Sequence, residues 1–224
     1  MMLRIPFGWS TLVTVGASLA LVACTLEAGT VTEPVAGSVA APAVAVGEGA
    51  TRYTIVAGEA RYRVTEQLAG RNLPNDAVGV TSQVTGAVVR NADGTIAAGS
   101  QLVVNLTSLT SDSSQRDSFI KRNTLQTDQY PTATFHVREV RGLPATIPAS
   151  GSTAVEVLGD LTIHGVTRPA TWTGTLTFTE NGLTGSLATT VTLADFGMTA
   201  PRVPLVLSID ETIHLELDVT AQAG

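Results

Sequence analysis

Residues 175–186, Thr175-Leu176-Thr177-Phe178-Thr179-Glu180-Asn181-Gly182-Leu183-Thr184-Gly185-Ser186, read as two alternating strands folded about a tight turn. Polar and apolar residues take turns on each arm, so each strand has one apolar face. Asn181-Gly182 suits a two-residue hairpin because both central positions then need positive φ, which these residues tolerate. Asp93-Gly94 is a second pair of this kind. Hairpins join neighbouring strands without crossover helices, so the stretch predicts an antiparallel β protein.

Outward from this hairpin, the same alternation recurs from residue 51 to the end. Strands are expected at 52–56, 59–66, 78–89, 100–109, 132–140, 153–163, 170–179, 183–193 and 205–220. Gly165 marks another reversal, with Pro169 tolerated at the start of the following strand. Charged residues are only 14% of the chain, and the abundance of Thr and Val favours strands over helices. Eight or nine long strands tend to curl, and closing the sheet removes its edges. The expected fold is therefore an all-β, antiparallel up-and-down barrel, with a two-sheet sandwich as its rival.

One polar stretch interrupts the pattern: residues 111–135, SDSSQRDSFIKRNTLQTDQYPTATF, which contain Lys121, the only lysine. Ser114 followed by Asp117 resembles a capping box, which predicts a helix over about 115–124 with Phe119 and Ile120 as packing contacts. Lys121 and Arg122 fall in its later turns, where cations suit the helix dipole.

Before the strands, Arg4 and the apolar run 11–20 have the form of a signal peptide over residues 1–23. Leu21-Val22-Ala23-Cys24 reads as a lipoprotein processing site, making Cys24, the only cysteine, the lipidated residue. The alternative is a conventional signal peptide that leaves an incidental thiol. A single cysteine allows no internal disulfide. Residues 24–50 have the composition of a flexible tether spanning roughly 25–30 Å, although 39–46 also suit a first strand. The barrel domain is assigned to 51–224. Without residues 1–23 the chain has 12 basic and 19 acidic residues, net −7, which argues against nucleic acid as a partner. The expected setting is the cell envelope, periplasmic or on an outer face, with the protein anchored to a membrane.

No arrangement of residues meets the demands of a familiar catalyst. The mature chain has no serine with glycine two residues to either side, as a hydrolase elbow needs. His136, His164 and His214 lie far apart, without a partner at metal-ligand spacing. Asp195 beside Phe196-Gly197 is a lone acid that reads more simply as a bulge or strand-end residue. There is no glycine-rich phosphate loop. The expectation is a non-enzymatic protein with no metal and no cofactor.

Several segments together resemble one family. They are residues 106–109 with Ser111-Asp112-Ser113 and Arg116-Asp117; Tyr130-Pro131-Thr132-Ala133-Thr134-Phe135; Gly159-Asp160-Leu161-Thr162-Ile163-His164-Gly165-Val166-Thr167-Arg168-Pro169; and Asp195-Phe196-Gly197-Met198. In this order and spacing they resemble the YceI-like proteins, exported lipocalin-like barrels associated with polyisoprenoids and other long apolar ligands, over about 51–222. The early part departs from the best-known members, which often carry a His-Gly segment where this chain has Tyr62-Arg63-Val64-Thr65-Glu66 and Val78-Gly79-Val80-Thr81-Ser82.

The resemblance implies an elongated pocket lined by inward positions, with the charged helix near one opening, and a homodimer. Inward Val, Leu, Ile and Phe side chains suit a mostly hydrocarbon ligand. Candidates to meet its headgroup are Arg116, Lys121, Arg122, His164 and Arg168, while Trp172 and Phe178 are candidates for the lining or core. Against this, Arg116 and Asp117 also suit ion pairs that tie the helix to the rim. Three functions follow: an isoprenoid, quinone-like or fatty-chain carrier; an enzyme on such a lipid using His164 or Asp195; or an interaction domain with a filled barrel.

Overall fold

A computed structural model describes residues 44–70, 73–201 and 206–224. The signal peptide, Cys24 and most of the tether lie outside the described residues. Strand β1 (Thr51–Leu68) is followed by β2 (Asn75–Thr81), β3 (Val84–Arg90), β4 (Gln101–Asn105) and the short β5 (Thr110–Ser111). Helix α1 (Ser114–Phe119) continues as a π-helical turn, Ile120–Thr124. Then come β6 (Thr132–Arg141), β7 (Gly151–Ile163), β8 (Val166–Thr179), β9 (Gly182–Thr192), a 3-10 turn Ala194–Phe196, β10 (Val206–Ile209) and β11 (Thr212–Ala223).

Antiparallel pairing runs β11-β9-β8-β7-β6-β4-β3-β1, and β11 pairs with β1 to close an eight-stranded up-and-down barrel. β2 and β3 act as one staving strand: β3 meets the start of β1, and β2 meets its far half. The barrel expected from alternation is present, and the sandwich is not. Alternate residues point inward, as in Trp172, Leu176 and Phe178 on β8 and Val155, Val157, Leu161 and Ile163 on β7, all of them buried.

Element boundaries differ from the sequence expectations in four places. The expected strands 52–56 and 59–66 are one strand, because a bulge absorbs the break: register with β11 slips between Ile55 and Ala57, and Val56 is turned out to solvent. The expected strand 78–89 is broken at Ser82-Gln83, where Thr81 Oγ1 accepts from the Gln83 amide at 3.1 Å. Residues 106–109 leave the sheet after β4, and their Leu106 and Leu109 side chains turn into the barrel end. The expected strand 205–220 is two strands, β10 and β11, separated by a turn in which Asp210 Oδ1 accepts from the Thr212 amide at 2.8 Å.

The turns also sit one residue from where the dipeptides pointed. In the hairpin of residues 175–186, Thr179 pairs with Gly182, so the central residues are Glu180 and Asn181, neither with positive φ. The turn with positive φ at both centres is His164-Gly165, at +51° and +73°, the primed geometry that matches strand twist. A side chain at Gly165 would also meet the Tyr130 ring, 2.8 Å from its Cβ position.

Helix α1 is capped by Ser113, one residue before the expected cap, whose Oγ accepts from the Arg116 amide at 3.3 Å. Asp117 does not close a capping box; its Oδ1 instead accepts from Ser111 Oγ at 2.6 Å, fastening the helix to β5. At the barrel seam, the outward Arg61 of β1 donates to Glu59 and to Glu216 and Asp218 of β11. The hydrogen bonds that Arg61 donates to these carboxylates, that to Glu216 first, raise its pKa well above its usual value.

Candidate functional site

The family-like segments converge on one end of the barrel. α1 and the π-helical turn join β4 and β5 to β6, the His164-Gly165 turn joins β7 to β8, and Asp195-Phe196-Gly197-Met198 follows β9. Phe196 and Met198 are buried in the common core. Beneath this end lies an apolar cavity of about 130 Å³. Its lining includes Tyr62 of β1, Leu106, Leu109 and Leu125 from the helical connection, Phe135 of β6 and Trp172 of β8. A second apolar cavity of about 90 Å³ lies toward the other end, with Val140, Leu143, Ile147 and Phe178 in its wall. Leu102 borders both cavities.

Between them the inward side chains pack on one another, with the Phe135 and Trp172 rings 5.9 Å apart at 58°. The elongated pocket implied by the resemblance is thus divided into two small chambers. A larger hollow of about 450 Å³ is lined by Thr175, Thr177, Thr184, Ser186 and Asp218. These are the residues that alternate with the inward Leu176, Phe178, Leu187 and Val219, so this hollow lies on the outer face and not in the lumen.

Among the residues expected to meet a ligand, Trp172 and Phe178 line the two cavities, one each. The five polar candidates line neither. Arg116 Nη2 donates to the buried Glu66 carboxylate at 2.9 Å, and its other nitrogen to Asp112. Burial works against its charge, but Glu66 and then Asp112 outweigh that effect and raise its pKa. Lys121 and Arg122 are on the π-helical turn, and Arg122 is exposed. Arg168 is exposed on β8. His164 lies against Tyr130, ring centroids 4.5 Å apart.

Tyr62 is a lining residue that the sequence reading placed only within a segment departing from the family pattern. Its ring lies over Gly79 so closely that a Cβ there would sit 2.1 Å from a ring carbon. Burial pushes its phenol up to about 12. Asp195 is occupied as a turn cap, its Oδ2 accepting from the amide and hydroxyl of Thr192 at 3.1 and 2.7 Å. Those bonds, the hydroxyl first, hold its pKa below the usual carboxylate value. Among the described residues no group of three His, Cys, Asp or Glu is placed to hold a metal ion.

Two polar atoms at this end are enclosed without a hydrogen-bond partner among the described residues: Nε2 of His164 and the indole N–H of Trp172. Trp172 is 6% exposed.

A family model described as "YceI-like domain" matches residues 53–221. Curated relatives from Pseudomonas putida strains, named UPF0312 proteins, are 29% identical over 119 residues, covering 50% of this chain and 56% of theirs. The chain thus spans about half the length of the curated relatives it matches. A polyisoprenoid binding domain from Saccharophagus degradans, implicated in plant cell wall breakdown, has a TM-score of 0.61 at 14% identity, over 77% of this chain and 98% of that one. BcnA from Burkholderia cenocepacia has a TM-score of 0.54 at 15% identity, over 74% and 96%. At these identities the likeness is one of fold.

Proposed function

Because the chain belongs to the YceI-like family, we propose that it is an exported, lipid-anchored protein whose barrel sequesters or carries a long apolar amphiphile, such as an isoprenoid, quinone-like or fatty chain. The observation that carries this reading is the apolar cavity under the helical connection, walled by Leu106, Leu109, Leu125, Phe135 and Trp172. Each buried methylene contributes about 0.8 kcal/mol, so about ten carbons offset ordinary association costs. The polyisoprenoid binding reported of the Saccharophagus domain supports the same ligand class.

Cavities of about 130 and 90 Å³ fall below the roughly 300–1,000 Å³ usual for ligand pockets. Uptake of a long chain therefore requires the interior to part. The segment to move is 106–125, which is short of sheet hydrogen bonds and contains a π-helical turn, a feature common at functional sites. Arg116, Lys121 and Arg122 travel with that segment, which would bring them to an emerging headgroup.

Native mass spectrometry of the purified full chain tests the reading. The expected result is a surplus mass that is lost on denaturation and partitions into organic solvent. A reproducibly empty protein would favour the second reading, a filled barrel serving as an interaction domain, which the small cavity volumes support. We place binding ahead of catalysis because Asp195 is committed to its turn. Turnover of the bound lipid that is lost in His164→Ala or Asp195→Asn would reverse that order. The anchor is tested by Cys24→Ser, which should move the protein from the membrane fraction to the soluble one. A homodimer is part of the proposal and is read from its mass in solution.

A further inference from the structure

Trp172 stands out from the other inward residues of β8. Leu176 and Phe178 on the same face supply bulk alone, whereas Trp172 brings an N–H into an apolar wall and finds no acceptor for it among the described residues. Buried Trp N–H groups usually have a partner, because an unmade bond forfeits what water would have supplied. The rest of the lining offers little in return. Arg61 and Glu216 belong to the outer face, where they bond each other at 3.0 Å. Thr134 lies between the inward Ala133 and Phe135 and so points away from the lumen. Tyr62 is the other inward residue with a polar atom, and its ring is held over Gly79.

We propose that Trp172 is a hydrogen-bond donor to the occupant of the helix-covered cavity, selecting an apolar body that carries a proton-free oxygen acceptor, such as a ketone, ester carbonyl or ether, over plain hydrocarbon. The assignment rests on the binding reading above and adds to it which polar atom the ligand presents, and at what depth. The indole is a specificity-determining contact, with the hydrocarbon wall supplying most of the affinity. Its orientation is set by the tilted Phe135 ring on one side and by Val157, its partner on β7.

Cyclohexanone and methylenecyclohexane are a test pair of one shape, differing in C=O against C=CH₂. Both are small, compact probes, close in size to the benzene that an apolar cavity of about 150 Å³ accommodates. Binding of each to the purified full chain is compared with binding to Trp172→Phe. The ratio of the two dissociation constants should shift against the ketone by about tenfold in the variant. A readout without substitution at Trp172 is the ¹⁵N-indole resonance, resolved from Trp9 by Trp9→Phe. Cyclohexanone should move it downfield, and methylenecyclohexane should leave it in place.

If the ratio changes less than about twofold and the indole resonance ignores the ketone, a trapped water satisfies the N–H and the proposal falls, while binding of both probes keeps the cavity reading intact. If neither probe binds, the cavity reading falls with it.

Discussion

Glu66 is one of the few buried charges in the barrel, its side chain 6% exposed, and Arg116 is its counterion. Removing only the arginine strands the carboxylate, so Arg116→Met is expected to cost about 3 kcal/mol. The measurement is a lower urea midpoint with an unchanged slope; a loss below 1 kcal/mol would show the tie to be dispensable. Gly165 supports a different contact. At φ +73° and with the Tyr130 ring 2.8 Å from a Cβ position, Gly165→Ala should cost about 1–3 kcal/mol. In a Tyr130→Ala background the ring clash is gone, and the cost should shrink to the backbone part. Both sites were visible in sequence as motif residues, Arg116-Asp117 and His164-Gly165. Their pairings were not, because Glu66 and Tyr130 are brought to them by strand pairing and turn geometry that no local pattern encodes. Trp172 likewise read as lining or core, but its solitary N–H appears only when every neighbour is in place.

The helical connection is held mostly by polar contacts at its start: the Ser113 cap, Ser111 to Asp117, and Arg116 to Glu66. It is a short helix, and such a segment persists by packing and capping more than by propensity. Ser113→Ala should therefore cost about 1 kcal/mol, felt locally. In hydrogen exchange, amides of 114–125 should speed up about fivefold, with β7 and β8 unchanged; equal acceleration everywhere would mean that the cap supports the whole fold instead. At this scale the alternating strands β6 to β9 were legible to within a few residues, since each buries one complete face. Breaks and bulges in β1, β2 and β3 were not, because Val56 departs from alternation only to suit β11 across the seam, and Ser82-Gln83 only where β2 gives way to β3 beside β1. The helix start was misplaced by one residue for a related reason: Ser113 and Ser114 both qualify as caps, and the bond from Ser111 to Asp117 decides between them.

For the molecule as a whole, titratable groups define a stability plateau. Asp195, Asp218, Glu139 and Asp93 all have depressed carboxylate pKa values, mainly through hydrogen bonds from Thr192, Ser186, Arg141 and Thr95 respectively. A depressed folded pKa gives stability that is present above the unfolded value and lost as pH falls through the folded one. The acid flank should accordingly lie below about pH 4. Tyr62 moves the other way, to about 12, chiefly by burial, so its contribution holds below about pH 10 and fades as pH rises toward the shifted value. Urea midpoints should be flat between these flanks. The alkaline loss should coincide with phenolate absorbance and be reduced in Tyr62→Phe; a steep slope between pH 5 and 8 would contradict the scheme.

The closing pair of strands has a consequence for how the chain reaches this state. Tyr53, near the domain's beginning, finds its place beside Ala223, near its end. A chain delivered from its N-terminus, whether by a ribosome or through a secretion pore, holds β1 with one edge bare until the last strand has emerged. Closure is then a late, long-range step, slow by the measure of contact order and open meanwhile to pairing with the wrong chain. Glu59, Arg61 and Arg63 supply charge on the waiting edge, which discourages intruders before the proper partner arrives with Glu216 and Asp218.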